Sequence, residues 1–538
     1  MKIRLAQINP IVGNLEHNSN LIKDTIISSK EYDLIVFPEL SLTGYPPQDL
    51  LLDRNFILEV KEALNDIKQI VTEQVVVVGL PMYENESLMN SAVVIQNQEI
   101  IGCHSKVLLP TYDVFDETRY FVASDIISPI PVTIRGVEIN MGIQICEDLW
   151  DEAYSLKVTE TLISKGAEMI INISASPYRK NILNKRYKIC ADKAKDLKYY
   201  FIYCNLVGGQ DELVFDGHSF IVDTHGDIKA LGKGFKEDYI DFNTKNIESS
   251  SISIASIHES EEMFNALSLG VRDYFKKSGF SKAVIGLSGG IDSALTAVIA
   301  ADALGNENVI GISMPSEFSS GHSKSDARAL ADNLDIRFET IPINELYNKN
   351  ISSMDSFFKD TSKGLAEENL QARIRGNILM SVSNKIEALV LNTGNKTELA
   401  LGYCTMYGDM CGALGVISDI NKLEVYELSK WINRSNSRII IPENSINKKP
   451  SAELSEDQYD PFDYNLVSPL VDCIINDLAD TSNLLEMGYK IELINDIINK
   501  INTSEYKRRQ APPGIKVSKK AFGMGRRYPM NNHYRHKK

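Results

Sequence analysis

SGGIDS at residues 288–293 follows an apolar run, Ala283 to Leu287, and precedes a helix-like run, Ala294 to Leu304. This order predicts a strand, a tight glycine turn and a helix. Backbone N–H groups left free at the start of the helix, together with the positive end of its dipole, form a phosphate site. Gly289 and Gly290 let the backbone approach the anion closely. The stretch therefore predicts a phosphate-binding turn within an α/β fold.

Asp292 distinguishes this turn from other phosphate loops. No Lys follows the glycines, so the stretch is not a Walker loop. An acidic side chain beside phosphate indicates that a divalent metal lies between the two. The stretch resembles the SGGxDS loop of the ATP pyrophosphatase families, which cleave ATP between the α and β phosphates and adenylate a substrate. An ordinary glycine turn between a strand and a helix is the alternative.

Length and composition indicate a globular protein of several domains. A chain of 538 residues exceeds the size of one hydrophobic core, so two to four domains are expected. A net charge of −15 argues against general nucleic-acid binding. No run of eighteen apolar residues is present, so no membrane span is expected. The start of the chain has a strand pattern, and the seven cysteines include no CxxC pair; both features predict a reduced, cytoplasmic protein.

Three polar side chains in the first half follow predicted strands, which alternate with helices and include antiparallel pairs. They are Glu39, Lys106 and Cys146, and α/β folds place their chemistry at such strand ends. A Cys nucleophile needs a base to take its proton and a cation to hold developing negative charge, and Glu and Lys supply these roles. The other cysteines lack this context and are interpreted as small buried side chains: Cys103, Cys190, Cys204, Cys404, Cys411 and Cys473.

The segments around these residues resemble the nitrilase superfamily and, within it, the glutaminase branch. They read FPELSLTGYPPQDL from residue 37, SKVLLPTYDVFDETRYF from residue 105 and ICEDLW from residue 145. The resemblance implies an α-β-β-α sandwich in which Glu39 is the base, Lys106 the stabilising cation and Cys146 the nucleophile that forms a thioester with glutamine and releases ammonia. It also implies glutamine contacts and a supporting carboxylate: Tyr112, Ser174 and Lys180 for the first and Glu117 for the second.

A change of composition separates the two halves of the chain. Residues 232–256 are polar, acidic and rich in serine, which is typical of a linker, although part of this segment can pair at a sheet edge. The predicted domains are residues 1–255 and 256–538. In the second domain, strand patterns alternate with helix patterns on both sides of the glycine turn, which predicts a doubly wound parallel sheet of the Rossmann-like class.

A second block of motifs follows the glycine turn: EENLQARIR from residue 367, LNTGNKTE from residue 391, GY at 402–403 and YGD at 407–409. With the glycine turn, these resemble the synthetase domain of the glutamine-dependent NAD+ synthetase family, and the resemblance covers nearly the whole chain. It implies ATP, deamido-NAD+ and L-glutamine as substrates, Mg²⁺ as cofactor, and amidation of an adenylated nicotinate carboxylate, with AMP and pyrophosphate as products.

The same resemblance assigns binding residues in the second domain. The ATP contacts it implies are Gly286, Leu287, Ser288, Gly289, Gly290, Ile291, Asp292, Ser293, Met314 and Thr393. The deamido-NAD+ contacts it implies are Asn369, Arg373, Glu398 and Lys507, and the metal ligands are Asp292 and Glu398. One departure limits the assignment, because the shorter ammonia-dependent synthetases have a substrate-binding Lys and Asp where this chain has Met406 and Ala413.

Two further segments carry expectations. Residues 442–464 are polar and contain proline, which predicts a mobile flap that orders over the substrates. Residues 507–538 hold eleven Lys or Arg and no acidic residue. We expect this tail to fold back so that Lys507 meets substrate pyrophosphate, since aromatic and proline residues lie among its charges. A nucleic-acid arm or a solvated basic terminus are the alternatives.

Two other functions are weighed against this one. A different amidotransferase of the ATP pyrophosphatase type, such as a GMP or asparagine synthetase, would carry an unrelated glutaminase domain, so Glu39, Lys106 and Cys146 argue against it. A catalytically silent binding protein would not need every reactive side chain to be present. The family resemblance further implies a homo-oligomer, either a dimer or a multiple of dimers. Ammonia in water at neutral pH is mostly protonated and then not a nucleophile, so we expect a shielded tunnel between Cys146 and the loop at Ser288.

Overall fold

The structure is a computed structural model that describes residues 1–245, 252–254, 258–455, 458–532 and 534. The chain divides into two compact units, Met1–Ile257 and His258–Lys538, called here the N-terminal and the C-terminal unit. The predicted domain boundary after residue 255 falls outside the described residues and stays a prediction.

The described part of the N-terminal unit contains two six-stranded sheets and a two-stranded ribbon. The first sheet has the order β14-β1-β2-β3-β4-β5 and the second the order β13-β12-β9-β8-β7-β6, while β10 pairs with β11. The strands are β1 (Lys2–Gln7), β2 (Leu34–Val36), β3 (Val75–Glu84), β4 (Ser87–Gln96), β5 (Glu99–Ser105), β6 (Ile130–Ile134), β7 (Val137–Ile145), β8 (Met169–Ser174), β9 (Phe201–Asn205), β10 (Val207–Gln210), β11 (Leu213–Asp216), β12 (Phe220–Val222), β13 (Ile228–Leu231) and β14 (Asp238–Asn243).

Helices cover the outer face of each sheet. The helices α1 (Leu15–Ser28) and α2 (Arg54–Ile70) pack on the first sheet, and α3 (Val158–Ser164) and α4 (Ile182–Ala194) pack on the second. A third apolar cluster fills the space between the two sheets. This arrangement confirms the predicted α-β-β-α sandwich, and the burial of both faces explains why the central strands are apolar at nearly every position.

The polar segment predicted as a linker contributes a strand. β14 pairs antiparallel with β1 over the register Lys2↔Asn243 to Gln7↔Asp238, which places it at the edge of the first sheet. Its burial alternates, with Ile240 and Phe242 packed into the core between the sheets. The alternation of buried apolar and exposed polar side chains explains why this edge strand has a polar composition.

The described part of the C-terminal unit has a five-stranded, fully parallel sheet with the order β17-β16-β15-β18-β19. The chain order reverses between β15 and β18, and this is the position at which open α/β sheets bind ligands. The predicted doubly wound sheet is therefore confirmed. The strands are β15 (Ala283–Gly286), β16 (Val309–Ser313), β17 (Arg337–Thr340), β18 (Leu389–Asn392) and β19 (Leu414–Gly415).

Helices flank both faces of this sheet and form a separate bundle after it. Their bounds are α5 (Glu259–Lys277), α6 (Ile291–Leu304), α7 (Gly321–Leu334), α8 (Asn344–Ser353), α9 (Asp355–Phe358), α10 (Leu365–Ile386), α11 (Lys396–Leu401), α12 (Lys422–Ser435), α13 (Glu443–Asn447), α14 (Tyr464–Ile475), α15 (Thr481–Glu486), α16 (Ile491–Thr503) and α17 (Glu505–Arg508).

Three short helices follow one another near the end of the chain, and one expectation is corrected. The helices α14, α15 and α16 are separate, and the Asp480 side chain caps the start of α15 by accepting from the Asn483 N–H. The cysteines outside the predicted triad are not uniformly buried: Cys190 and Cys204 are, but Cys103 is exposed because it lies on β5, an edge strand with one open face. No helix among the described residues is long and apolar enough to span a membrane.

Candidate active sites

The three predicted catalytic residues of the N-terminal unit follow strands of both sheets. Glu39 lies beyond β2 and Lys106 follows β5 in the first sheet, while Cys146 follows β7 in the second. Lys106 Nζ donates to Glu39 Oε1 at 2.7 Å and to Glu117 Oε1 at 2.8 Å. All are buried, and Cys146 retains 6% exposure. Cys146 also adopts a φ of +44°, which marks a sharp turn at the nucleophile.

Electrostatics link Cys146 to the same cluster. Burial raises the pKa of the Cys146 thiol well above its ordinary value, and the Glu39 carboxylate adds to this effect while Lys106 opposes it. Burial disfavours the Lys106 cation, yet the carboxylates of Glu117 and Glu39 outweigh it and hold the pKa of Lys106 well above its ordinary value. The thiol is therefore protonated at neutral pH and beside a permanent cation, so a base must take its proton before it attacks.

A buried loop after β8 holds Glu39 from the other side. The backbone N–H of Ala175 donates to Glu39 Oε2 at 2.8 Å. The next residue, Ser176, is held by Arg186, whose Nη2 donates to the Ser176 carbonyl at 2.8 Å. Arg186 Nη1 itself donates to both carboxylate oxygens of Asp216 at 2.8 Å, and both side chains are buried. The hydrogen-bonded loop thus holds the carboxylate of Glu39, the predicted base, in one orientation.

The predicted glutamine-binding residues differ in what they contact. The Tyr112 hydroxyl donates to Glu147 Oε2 at 2.8 Å, and Glu147 is buried directly after Cys146. Ser174 is buried, with its hydroxyl donating to Asn172 Oδ1 at 2.6 Å. Lys180 lies half-buried in the turn before α4. The sequence did not single out Glu147, because the motif that contains it, ICEDLW, was interpreted through its cysteine.

The glycine turn of the C-terminal unit connects β15 to α6 as predicted, with the helix beginning three residues earlier, at Ile291. Gly289 has a φ of +77°, and a Cβ there would lie 2.2 Å from the carbonyl oxygen of Ser323. The Ser293 hydroxyl donates to the Gly290 carbonyl at 3.0 Å and lies 3.2 Å from the Ser288 hydroxyl. Internal hydrogen bonds thus shape the turn before any anion binds.

We expect Gly289→Ala to abolish most of the activity that depends on the phosphate turn, because the new methyl group would collide with the Ser323 carbonyl. Gly279→Ala is the matched control: Gly279 has a φ of +78° and no neighbour within 4 Å, so it carries the same backbone strain without the collision. Gly279→Ala is expected to lower the free energy of unfolding by only about 1–2 kcal/mol. Gly289→Ala is expected to show the same loss and also to lower the rate by about 10²-fold. Rate assays and thermal unfolding of both variants measure the difference; equal losses would contradict the account.

Two adjoining cavities open at the reversal of strand order. The first, of about 260 Å³, is lined by Leu287, Met314 and Arg375 among others, and the second, of about 190 Å³, by Asp292, Glu398 and Lys422 among others. The residues that line both cavities are Ser288, Asn392, Thr393, Asp409 and Ala452.

The two predicted metal ligands face one buried cation. Lys422 Nζ lies 2.5 Å from Asp292 Oδ2 and 3.2 Å from Glu398 Oε1. Burial disfavours the Lys422 cation, but these two carboxylates outweigh it and hold the pKa of Lys422 well above its ordinary value. Burial raises the pKa of Glu398 to about 7, against the opposing effect of Lys422. The carboxyl groups of Asp292 and Glu398 therefore already share one positive charge, that of the Lys422 ammonium.

This geometry fits a Mg²⁺ ion that is completed by phosphate. Asp292 and Glu398 lie within reach of a single cation, as their shared contact with Lys422 shows. Across the described residues, no cluster of three His, Cys, Asp or Glu could hold a metal by itself. Mg²⁺ commonly takes one or two protein carboxylates and fills its remaining positions with phosphate oxygens and water. The donor set thus suits the ion only together with a nucleotide.

The predicted dinucleotide contacts other than Glu398 lie outside the walls of both cavities in the described part of the chain. Arg373 is exposed, with Nε donating to the Met406 carbonyl at 3.3 Å. Asn369 Oδ1 accepts from Thr405 Oγ1 at 2.7 Å. Arg375 lines the first cavity instead and donates to the Met314 carbonyl at 3.0 Å. Residues two positions apart on a helix do not face the same way, so only one arginine enters the cavity.

Part of the predicted flap lies over the cavities. Residues 448–454 line them, the Glu453 carboxylate accepts from the Ser323 hydroxyl at 2.6 Å, and Gln371 Nε2 donates to the Leu454 carbonyl at 2.9 Å. Two residues of the flap, 456 and 457, lie outside the described ones. The position of this segment agrees with a covering role, and its mobility stays a prediction.

The basic tail folds back onto the C-terminal unit, as expected. Gly415 pairs with the segment around Gly514, and the N–H groups of Val517 and Ser518 donate to the buried Asp419 carboxylate at 2.8 and 2.7 Å. Lys507 Nζ donates to the carbonyls of Gly402 and Cys404 at 2.7 and 2.8 Å. A docked tail is therefore confirmed for its described part. The contact of Lys507 with pyrophosphate stays a prediction, and residues 533 and 535–538 lie outside the described ones.

Fold and sites together define a class: a thiol amidohydrolase of the nitrilase type joined in one chain to a nucleotide-binding unit of the ATP pyrophosphatase type. Two family models match, carbon-nitrogen hydrolase over residues 2–251 and NAD synthase over residues 263–511. The chain belongs to the glutamine-dependent NAD+ synthetase family, as the sequence motifs predict.

Named relatives carry this assignment. The glutamine-dependent NAD+ synthetase of Synechocystis sp. is 42% identical over 552 residues, which cover 98% of each chain. The enzyme of the same name from Thermotoga maritima is 39% identical over 581 residues and 99% of each chain. Among solved structures, glutamine-dependent NAD+ synthetase from Acinetobacter baumannii in complex with ADP is 34% identical, with a TM-score of 0.79 and 98% of each chain covered.

Proposed function

We propose that Cys146 of the N-terminal unit releases ammonia from L-glutamine, and that the C-terminal unit uses this ammonia to amidate deamido-NAD+ by way of an adenylate. The observation that carries the first half is the 2.7 Å contact between Lys106 Nζ and Glu39 Oε1 beside a buried thiol. The second half is supported by the two carboxylates that meet one cation behind the phosphate turn.

In the first reaction the Cys146 sulfur bonds to the amide carbon of glutamine while Glu39 takes the thiol proton. The Lys106 ammonium stabilises the negative charge that develops on the amide oxygen. Glu39 returns the proton to the leaving nitrogen, and ammonia departs as the thioester forms. Glu39 then takes a proton from water, whose oxygen bonds to the thioester carbon; the carbon–sulfur bond breaks, Glu39 returns the proton to the sulfur, and glutamate leaves with the thiol restored.

The glutamine substrate is held by Tyr112, Ser174 and Lys180 in this proposal. A free amino acid presents both an ammonium and a carboxylate, so its site needs charges of both signs. Glu147 supplies a buried carboxylate one residue from the nucleophile, with hydroxyl donors from Tyr112 and Tyr154 at 2.8 and 3.0 Å. Lys180 supplies a cation on the turn before α4.

In the second reaction the turn at residues 288–293 binds the ATP phosphates and the first cavity takes the adenosine, beside Met314 and Thr393. The nicotinate carboxylate of deamido-NAD+ attacks the α-phosphorus and pyrophosphate leaves. Ammonia then attacks the acyl carbon of the adenylate, and NAD+ and AMP form. Lys422 stabilises charge that develops on the phosphates, because its ammonium stays protonated between Asp292 and Glu398.

Asp292 and Glu398 would hold the Mg²⁺ ion, which when bound neutralises phosphate charge and assists the departure of pyrophosphate. Asn369, Arg373, Glu398 and Lys507 would contact deamido-NAD+. Asn369 and Arg373 both contact the segment Thr405–Met406, so binding of the dinucleotide there would order this loop beside the cavities.

The proposal extends to the setting of the enzyme. We infer a cytoplasmic location, a homo-oligomer that is a dimer or a multiple of dimers, and small-molecule partners without nucleic acid. Ammonia that is released into water near neutral pH is largely protonated to ammonium, which is not a nucleophile. A shielded route for ammonia is therefore part of the proposal.

The test is a product assay with glutamine and ATP–Mg²⁺, offering deamido-NAD+, xanthosine monophosphate or aspartate as the acceptor. We expect NAD+ and AMP in equal amounts with deamido-NAD+ and no amide product with the other two acceptors. Chromatography separates the nucleotides and shows whether ATP gives AMP or ADP. Amidation of xanthosine monophosphate or aspartate would instead identify a different amidotransferase, and no AMP with any acceptor would indicate a silent protein.

A further inference from the structure

We propose that Asp148, oriented by His104, is the positioning residue that sets the catalytic lysine and the nucleophilic thiol at their working separation. Asp148 lies two residues after Cys146 and is fully buried. This inference rests on the proposed role of Cys146, and it assigns to Asp148 a role in the glutaminase reaction without direct contact with the substrate.

The two groups to be aligned belong to different sheets. Lys106 follows β5 of the first sheet, and Cys146 follows β7 of the second. Apolar side chains fill the space between the sheets. Apolar packing is not directional, so it holds the sheets together without defining how the end of one strand is placed against the end of the other. Reaction geometry tolerates little error, and charge-assisted hydrogen bonds provide the direction that packing lacks.

The Asp148 carboxylate makes this connection with both of its oxygens. Oδ1 accepts from the backbone N–H groups of Val107 and Leu108 at 3.0 and 2.8 Å, the two residues after Lys106. Oδ2 accepts from the N–H of Ile145 at 3.0 Å, the residue before Cys146. The Asp148 carboxylate therefore fixes the backbone directly after Lys106 and directly before Cys146.

His104 completes the arrangement. Its Nε2 lies 3.2 Å from Asp148 Oδ2, and its side chain is 2% exposed. His104 stands two residues before Lys106 on β5, so the ring holds the carboxylate from the first sheet while Ile145 holds the same oxygen from the second. With these partners the carboxylate has little freedom to rotate, which is the property that a positioning residue needs.

Asp148→Asn tests the proposal in the full-length chain. An amide has a single acceptor oxygen, so either the Val107 and Leu108 N–H pair or the Ile145 N–H would face an NH₂ group, donor against donor. We expect kcat with glutamine to fall by about 10²-fold or more, with KM for glutamine within about threefold. NAD+ formation with ammonia should stay within about twofold of the unchanged chain, because the C-terminal unit is untouched.

The matched control is Asp223→Asn in the same unit. The Asp223 carboxylate also accepts two backbone N–H groups, from His225 at 2.9 Å and Asp227 at 3.0 Å, in a turn between β12 and β13. We expect no change in kcat or KM for this variant. Thermal unfolding of both variants shows whether a lower rate results from a less stable fold or from a misaligned site. If Asp148→Asn and Asp223→Asn lost the same stability and the same rate, the positioning role of Asp148 would be overturned.

Two further outcomes decide the matter. Near-normal kcat in a folded Asp148→Asn enzyme would overturn the proposal, and so would a rise in KM that accounts for the whole loss of kcat/KM.

His104→Phe is the second variant, for use if Asp148→Asn does not fold. It removes one contact of the Asp148 carboxylate and leaves its three hydrogen bonds to backbone N–H groups. It should lower kcat about fivefold at unchanged KM, and an unchanged kcat would overturn the proposal. Cys146→Ala tests the proposed function separately: continued use of glutamine by that variant would contradict the role of Cys146 itself, whereas the Asp148 and His104 variants test the positioning role alone.

Discussion

Cys146→Ala is expected to abolish NAD+ formation with glutamine while it spares NAD+ formation with ammonia. Removal of a covalent nucleophile lowers the rate by about 10⁴-fold or more in comparable enzymes. The Cys146 thiol lies in the N-terminal unit, and the cavities beside the phosphate turn lie in the C-terminal unit, so supplied ammonia bypasses the lesion. The measurement is the NAD+ rate with saturating glutamine and, separately, with an ammonium salt at a pH high enough to give free ammonia.

Cys103→Ala is the control for this variant. Cys103 is an exposed thiol on β5 of the same unit and three residues before Lys106, so it tests whether thiol removal near the site is harmful by itself. It should leave both rates unchanged. Equal loss of the glutamine and ammonia activities in Cys146→Ala would contradict separate sites for the two reactions.

Asp292→Asn carries the second large effect and has the opposite pattern, because it should lower NAD+ formation with either nitrogen source. Its carboxylate accepts from Lys422 Nζ at 2.5 Å and from Asn395 Nδ2 at 2.9 Å, at the start of the helix that follows the phosphate turn. Loss of this charge removes a proposed metal ligand and leaves Lys422 with Glu398 alone. We expect a decrease of about 10²–10³-fold in the rate with ammonia, measured as AMP and NAD+ produced.

Asp302→Asn is the matched control, since Asp302 lies on the same helix, α6, with a half-exposed side chain whose nearest ionic partner, Arg272 Nη2, is 3.9 Å away. Its rates should not change, because an exposed pair at this distance contributes little. Raising the Mg²⁺ concentration should partly restore Asp292→Asn through a higher apparent KM for the ion. A rate with ammonia like that of the unchanged chain would remove Asp292 from the reaction.

The local order around each reactive side chain could be predicted because it depends on neighbouring residues. The phosphate turn has glycines, a preceding apolar run and a helix-forming run within about twenty residues, so strand, turn and helix follow from local preferences. Glu39, Lys106 and Cys146 could likewise be placed at strand ends, and their motifs named the family. The contacts among them could not be derived from spacing, since they join two sheets.

Residues whose roles depend on long-range contacts escaped prediction. Lys422 opens α12, where the positive end of the helix dipole disfavours a cation, and it is tolerated because Asp292 and Glu398 approach from elsewhere in the chain. The sequence assigned Arg373 and not Arg375 to a substrate, because the pattern of α10 indicates a helix but not which face meets the cavity that Arg375 lines.

The most direct test of the central claim follows the nitrogen atom itself. The unchanged enzyme is supplied with deamido-NAD+, ATP–Mg²⁺ and glutamine labelled with ¹⁵N in the side-chain amide, in the presence of unlabelled ammonium at neutral pH, and the NAD+ formed is examined by mass spectrometry. The account predicts that the label enters the nicotinamide group of NAD+ and that AMP appears in equal amount. NAD+ without the label, or ADP in place of AMP, would contradict it.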